Sequence, residues 1–222
     1  MSTVLIFEPH LDDAVLSVGE WMRRVVVEEG DRLTVATPFA GNGFGFWANS
    51  DAVRARWVEH HDAYHALFQP YGVEFVSSEL GPFLDDAMRT VELDQGHLEE
   101  WCAMVVRNWR PDVILLPSGH GHPDHIALAE AMSMTTDRFD VRFSGRVGFY
   151  EELPYRHTFV HVDQALRPLM HNGWGCRESI VGSDELVRFK HQAVMCYSSQ
   201  VGADILRWCF HEEVIWWRHD EA

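Results

Sequence analysis

The sequence predicts an α/β fold with an open, mostly parallel sheet and helices packed against it. Short apolar runs that suit buried strands alternate with longer segments of helical periodicity. Two polar clusters, at residues 9–13 and 120–125, each come shortly after a predicted strand. In open α/β sheets the binding site lies beyond the carboxyl ends of the strands, so we expect both clusters to meet there.

The first half of the chain is predicted to begin with a buried strand and a long helix. Val4–Phe7 is wholly apolar and is followed by a turn that contains Pro9, which is typical of a strand covered on both faces. Asp12–Glu29 then places its apolar side chains on one helical face. The following segments are predicted as a strand at Leu33–Pro38, a loop at Ala40–Ser50, a helix at Ala52–Phe68 and a strand at Val73–Val76.

The second half repeats the alternation. Leu93–Trp109 is predicted as a helix that ends before Pro111, and Val113–Leu116 as a second buried strand. The remaining elements are predicted as helices at Ile126–Thr136 and Leu186–Tyr197, strands or extended segments at Val147–Tyr150 and Phe159–Val162, and a short helix with a last strand over Ile205–Trp217. No linker or repeat divides the chain, so residues 1–222 are expected to form a single domain.

The amino-acid composition indicates which classes of molecule the protein can bind. The 34 acidic and 18 basic residues give a formal net charge of −16, which disfavours a nucleic-acid phosphate backbone and suits a neutral or cationic small molecule better. The four cysteines form no CxxC pair and indicate reduced thiols. No signal peptide and no bilayer-spanning apolar run is visible, so we expect a cytoplasmic protein without a membrane partner. The sequence does not determine the oligomeric state, and a homo-oligomer is one of the alternatives.

The first polar cluster suggests a metal site. A catalytic divalent metal commonly takes three protein ligands from histidine and carboxylate and keeps one position open for water. His10, Asp13 and His125 would form such a set, and Asp12 would be left as general base. The alternative is that this segment has only a structural role, because an aspartate at a strand end is often a helix N-cap beside a surface histidine.

The second cluster adds groups that could face the substrate. His122 lies at the predicted mouth of a helix, where it could polarise the carbonyl, stabilise the oxyanion or protonate the leaving amine. Asp124 could hydrogen-bond an imidazole and fix its tautomer.

Five segments together resemble a known family. They are Pro-His-Leu-Asp-Asp at 9–13, Arg56 with Glu59, His122-Pro123-Asp124-His125, Glu151-Glu152-Leu153-Pro154-Tyr155, and the series Lys190, Ala193, Tyr197, Ser199 and Gln200. The chain thereby resembles the PIG-L/LmbE-like zinc-dependent N-deacetylases.

This resemblance implies a Rossmann-like three-layer domain that hydrolyses an N-acyl, usually N-acetyl, group of an amino sugar or related glycoside. It implies Zn²⁺ on His10, Asp13 and His125, although ferrous iron (Fe²⁺) suits the same ligands. It also implies that Asp12 is the base and His122 the acid or electrophile. Arg56 matches a substrate-contacting arginine.

The chain departs from the family pattern at three positions. Leu11 replaces a proline and Ala14 a glutamate, and neither is a metal ligand on this interpretation. His120 stands where some members carry a tyrosine that closes on the transition state. We treat it as a substrate-binding candidate, with a plain loop residue as the alternative.

Other features have two interpretations each. Phe44, Phe46 and Trp47 in a Gly-rich loop could stack on a sugar or hold the loop down, and Trp47 is our substrate-binding candidate. Glu151 and Glu152 could meet a substrate hydroxyl or face solvent. The rival functions are metal-dependent hydrolysis of another bond, such as an ester, and a degenerate member that acts as a binding protein.

Overall fold

A computed structural model describes residues 1–40, 50–77, 94–119, 122–138, 145–155 and 174–218. The strands are β1 (Thr3–Phe7), β2 (Arg32–Thr37), β3 (Glu74–Ser77), β4 (Val113–Pro117), β5 (Arg146–Tyr150), β6 (Trp174–Ile180) and β7 (Glu213–Arg218). The helices are α1 (Asp13–Arg23), α2 (Ser50–Phe68), α3 (Gln95–Trp109), α4 (Pro123–Arg138), α5 (Asp184–Val194) and α6 (Ala203–Cys209).

These strands form one seven-stranded sheet in the order β3-β2-β1-β4-β5-β7-β6. The first five strands in that order pair in parallel, and β7 pairs antiparallel with both β5 and β6. The chain runs outward from β1 to β3, returns, and runs outward again from β4 on the other side of β1. The predicted mostly parallel, Rossmann-like sheet is therefore confirmed.

Alternate side chains of β1 enter two separate cores. Val4 and Ile6 pack in the cluster that includes side chains of α1, α2 and α5, whereas Leu5 and Phe7 pack in the cluster that includes side chains of α3 and α4. A strand covered on both faces needs apolar residues at every position, which explains the uninterrupted apolar run. The predicted three layers follow from this arrangement.

Some boundaries differ from the sequence prediction. Helix α4 begins at Pro123 rather than Ile126, because proline is well tolerated in the first turn of a helix. Strand β6 was not predicted, since its mixed Trp-Gly-Cys-Arg-Glu-Ser-Ile sequence has no clear apolar alternation. The predicted strand at Phe159–Val162 lies outside the described residues. No helix within the described ranges is both long and apolar enough to cross a membrane.

Helix α1 contains a kink that a buried ion pair stabilises. Val18 has non-helical dihedral angles (φ −134°, ψ 27°). The carboxylate of Glu213 accepts hydrogen bonds at 2.9 Å from the backbone N–H groups of Glu20 and Trp21, just beyond the kink. Lys190 Nζ lies 2.6 Å from Glu213 Oε1, and both side chains are completely buried. A charged pair from α5 and β7 thus replaces intrahelical bonds.

Glu20 should make stability depend on pH. Burial and the neighbouring Glu213 raise the pKa of Glu20 from 4.5 to about 7, although Lys190 opposes the shift. The native state therefore binds more protons than the unfolded state between these values, and the free energy of unfolding falls as pH rises through that window. In Glu20→Gln we expect this fall to be smaller by about 1–2 kcal/mol, allowing for partial solvation of the carboxyl group.

Urea unfolding of wild type and Glu20→Gln at pH values from 4.5 to 7.5 measures this effect. Exposed Glu130 on α4 provides the control, because Glu130→Gln should leave the pH slope unchanged. Equal slopes for wild type and Glu20→Gln would contradict the expectation.

Candidate active site

The site lies where the strand order reverses, between β1 and β4. These strands are neighbours in the sheet, with Leu5 paired to Ile114, and each is followed closely by a helix, α1 or α4. The crevice beyond the carboxyl ends at such a reversal is where open α/β sheets bind ligands. His10 and Asp13 lie after β1, and His125 lies in the first turn of α4.

Three buried donor atoms form a nearly equilateral triangle, which we call the donor triangle. His10 Nδ1 lies 3.2 Å from Asp13 Oδ2, and Asp13 Oδ2 lies 3.2 Å from His125 Nε2. The third side, from His125 Nε2 to His10 Nδ1, measures 3.3 Å. Ligand atoms around a tetrahedral zinc, at bond lengths of roughly 2.0–2.2 Å, are separated by about 3.4 Å. The donor triangle therefore has the size and the chemistry of a divalent metal site.

Each imidazole of the donor triangle is oriented by a hydrogen bond to a carboxylate. Asp124 Oδ2 lies 3.1 Å from His10 Nε2, and Glu152 Oε1 lies 3.0 Å from His125 Nδ1. Because an ionised carboxylate only accepts hydrogen bonds, these two ring nitrogens carry protons. The opposite nitrogen of each ring faces the triangle. The expected role of Asp124, to orient an imidazole, thus has a specific partner in His10.

The charged groups of the donor triangle shift each other's pKa values. Burial alone would raise the pKa of Asp13, but His125 and His10 outweigh it and hold that pKa well below its usual range. Burial alone would lower the pKa of His125, but Asp13 and Glu152 outweigh it and raise the pKa to about 9. A proton and a metal cation would compete for the same nitrogen lone pair, Nε2 of His125.

His122 lies beside the donor triangle rather than in it. One ring nitrogen each of His10, His122 and His125 can be chosen so that all lie within 4.8 Å, a looser grouping than the triangle. The backbone N–H of Asp124 donates to His122 Nδ1 at 3.2 Å, so a neutral His122 carries its proton on Nε2. We favour Asp13 over His122 as the third ligand because its distances are shorter and its carboxylate balances the positive charge.

The two adjacent carboxylates point to different surroundings. Asp13 is buried in the donor triangle, whereas Asp12 is half-buried and its side chain makes no helix-capping hydrogen bond. His10 is only 4% exposed. Of the alternative interpretation, an N-cap beside a surface histidine, Asp12 does occupy the N-cap position of α1, but the histidine is buried rather than on the surface.

A second buried cluster behind the site was missed by sequence reasoning. Glu8 accepts hydrogen bonds from Thr37 Oγ1 at 2.9 Å, Ala14 N at 3.2 Å and Tyr64 Oη at 3.3 Å, and burial raises its pKa well above the usual value. His60 Nδ1 contacts the carbonyl oxygen of Leu11, and burial lowers the pKa of His60 to about 3. These groups hold the turn that carries His10 and Asp12.

The other predicted residues have mixed outcomes. Arg56 is half-buried on α2, one turn before His60 and on the same helical face. Glu59 accepts hydrogen bonds from Ser199 N at 2.8 Å and Ser199 Oγ at 2.5 Å, so two of the family-like segments are tied together. His120 lies outside the described residues, and so do Trp47 and the other residues of 41–49.

Glu151 and Glu152 do not face solvent, being 4% and 1% exposed. Glu151 Oε1 instead accepts a hydrogen bond from Trp216 Nε1 at 3.0 Å. Glu152 is the contact of His125 that the sequence did not reveal. The only signal for it was the resemblance of the Glu-Glu-Leu-Pro-Tyr segment.

The chain matches a protein-family model. The family model of PIG-L, GlcNAc-PI de-N-acetylase, matches residues 5–135, which include both polar clusters. No curated protein matches the chain significantly.

Solved structures share the fold. Teicoplanin deacetylase Orf2, in a zinc-inhibited form, is 22% identical with a TM-score of 0.73, and each chain covers 100% of the other. N,N'-diacetylchitobiose deacetylase from Pyrococcus horikoshii is 17% identical with a TM-score of 0.59, covering 93% of this chain and 73% of that one. The 4-carboxy-2-hydroxymuconate hydratase GalB from Pseudomonas putida is 15% identical with a TM-score of 0.65, covering 100% and 98%. The fold therefore serves more than one reaction.

Proposed function

The chain belongs to the PIG-L family, and from this premise we propose that it is a metal-dependent N-deacetylase. Its substrate would be a small molecule that contains an N-acetylated amino sugar. The observation that carries the proposal is the donor triangle of His10, Asp13 and His125, with sides of 3.2–3.3 Å. Two imidazoles and one carboxylate leave a coordination position open, as hydrolytic metal sites do.

The donor set fits zinc, and ferrous iron suits the same ligands. When bound, either metal would supply Lewis acidity that polarises the amide carbonyl and lowers the pKa of water. His10 would hold it through Nδ1, Asp13 through Oδ2 and His125 through Nε2. Asp124 and Glu152 would keep both imidazoles turned towards it.

The remaining steps use side chains beside the triangle. Asp12 would take the proton from the attacking water, because it adjoins Asp13 in sequence but is not part of the triangle. His122 would donate a hydrogen bond from Nε2 to the developing oxyanion, since its Nδ1 already accepts one from Asp124 N. The amine would then leave with a proton delivered from this pair of residues.

The substrate class is supported by charge and by the similar proteins. The net charge of −16 disfavours phosphorylated substrates. Similar folds include deacetylases of teicoplanin and of N,N'-diacetylchitobiose. Arg56 would contact the substrate from α2, and His120 and Trp47 are the further candidates for substrate contact.

Removing the metal should abolish activity. We expect chelator-treated protein to release no acetate or free amine from a panel of N-acetylated sugars, and one equivalent of Zn²⁺ or Fe²⁺ to restore release. His10→Ala should bind less than one equivalent of metal and stay inactive. His61→Ala is the matched control, because His61 is exposed on α2. Zinc should be added stepwise, since a similar deacetylase has been crystallised in a zinc-inhibited form.

Three results would contradict the proposal. Full activity in the chelated protein or in His10→Ala would exclude a role for the donor triangle. Release of an acid and an alcohol from ester analogues, with N-acetyl sugars untouched, would favour the ester hydrolase instead. A native protein that contains no metal and cannot be loaded would favour the degenerate binding protein.

A further inference from the structure

The carboxylate of Glu152 accepts hydrogen bonds on both of its oxygens beside the candidate site. It follows β5 and is 1% exposed. Its Oε1 lies 3.0 Å from His125 Nδ1 and accepts from the backbone N–H of Gly119 at 3.0 Å. Its Oε2 accepts from the backbone N–H of Ser118 at 3.0 Å and from the Ser118 hydroxyl. Two donors therefore converge on each oxygen.

We propose that Glu152 is the positioning residue of His125 and thereby sets the affinity of the site for its metal. This inference rests on the proposed function, because it assigns a metal to the donor triangle. Glu152 holds Nδ1–H of His125, so that Nε2 faces Asp13 at 3.2 Å and His10 at 3.3 Å. Partners of this kind orient metal-bound histidines and raise their basicity.

The position of Glu152 makes it a rigid anchor. Its bonds to Ser118 and Gly119 tie it to the turn after β4, while its own backbone continues from β5. His125 belongs to the helix that follows that turn. One carboxylate thus joins the ends of two paired strands to the ligand on α4, so the ring of His125 cannot turn without breaking a charge-assisted hydrogen bond.

Glu151 provides an internal comparison. It is the same residue type, is adjacent in the chain and is also buried. Its Oε1, however, accepts a hydrogen bond from Trp216 Nε1 on β7 at 3.0 Å. A Glu151→Gln variant therefore perturbs a buried glutamate of the same segment without changing the contacts of His125 with Glu152, Asp13 and His10.

The test compares Glu152→Gln with Glu151→Gln by metal affinity. A carboxamide has one oxygen, so its NH₂ group must face donors on one side, whichever way it turns. We expect Glu152→Gln to weaken Zn²⁺ affinity by about 10- to 100-fold in competition with a chromogenic chelator. Glu151→Gln should stay close to wild type. Affinities that are equal in wild type and Glu152→Gln, or equally weakened in both variants, would overturn the proposal.

The absorption spectrum of Co²⁺-loaded protein is a second readout, which reports the geometry of the metal ligands. A further variant, Glu152→Asp, keeps the test possible if Glu152→Gln does not fold. In Co²⁺-loaded protein the visible absorption bands should change in Glu152→Gln and remain in Glu151→Gln. If Glu152→Gln does not fold, Glu152→Asp retains the charge but withdraws it by one methylene. That variant should also bind Co²⁺ more weakly with altered bands, and a wild-type affinity and spectrum would overturn the proposal.

These measurements need no substrate, so the two proposals can fail separately. A wild-type protein that binds metal in a Glu152-dependent way but releases no acetate overturns the proposed function and supports this inference. An active enzyme whose Glu152→Gln variant keeps full affinity overturns this inference alone. A wild-type protein that binds no metal overturns both.

Discussion

Asp12→Asn should lower the rate of amide hydrolysis by about 10²- to 10⁴-fold while the protein keeps its metal, because general-base catalysis is lost without removing a ligand. The structure separates the two adjacent aspartates in a way that makes this expectation specific. Asp13 Oδ2 is a corner of the donor triangle, whereas Asp12 is half-buried and its side chain makes no capping hydrogen bond to α1. Steady-state kinetics and metal content of the same preparation measure both parts of the expectation.

Asp13→Asn is the matched comparison for this variant. It makes the same chemical change one residue later, but it removes the proposed charged ligand, whose carboxylate faces His125 and His10. We expect it to lose metal first and activity as a consequence. A rate near wild type in Asp12→Asn would exclude Asp12 as the base, and loss of metal in Asp12→Asn would reverse the roles of the two aspartates.

Lys190→Met should destabilise the protein by about 3–5 kcal/mol, because it leaves the buried charge of Glu213 without its cation. Both side chains are 0% exposed, and Lys190 Nζ lies 2.6 Å from Glu213 Oε1. The backbone N–H groups of Glu20 and Trp21 remain as hydrogen-bond donors to Glu213, but they carry no full charge. Urea unfolding at pH 7 measures the loss.

Two further variants separate the ion pair from general packing. Arg188→Met removes a positive charge from the exposed face of the same helix, α5, and should change stability by less than about 0.5 kcal/mol. Adding Glu213→Gln to Lys190→Met should restore part of the loss, because a neutral carboxamide oxygen can still accept an N–H. A double variant less stable than the sum of its single changes would contradict the assigned pairing.

The central strands could be predicted because burial on both faces requires continuous apolar sequence. Val4–Phe7 and Val113–Leu116 match β1 and β4 closely. Strand β6 could not be predicted, because its register depends on pairing with β7 rather than on its own apolar pattern. The pair of Lys190 and Glu213 was equally hidden, since its partners come from α5 and β7.

Part of the candidate site could also be predicted from the sequence, for a different reason. Chemically distinctive side chains stood after two apolar runs, so His10, Asp13 and His125 could be expected near each other, and they form the donor triangle. The carboxylates that orient the two imidazoles were harder to predict. Glutamate after a strand is common, and only the folded sheet brings Glu152 within 3.0 Å of His125. The catalytic roles of these residues remain predictions.

The place of the site between β1 and β4 has a consequence for folding. His10 and His125 are 115 residues apart in the chain. Closing a loop of that length costs about 4 kcal/mol or more in chain entropy, which only the pairing and packing of the two strands can offset. Neither histidine cluster is therefore expected to bind metal tightly in an unfolded or nascent chain. Tight metal binding would report that β1 and β4 have paired, and would make the ion a late participant in folding.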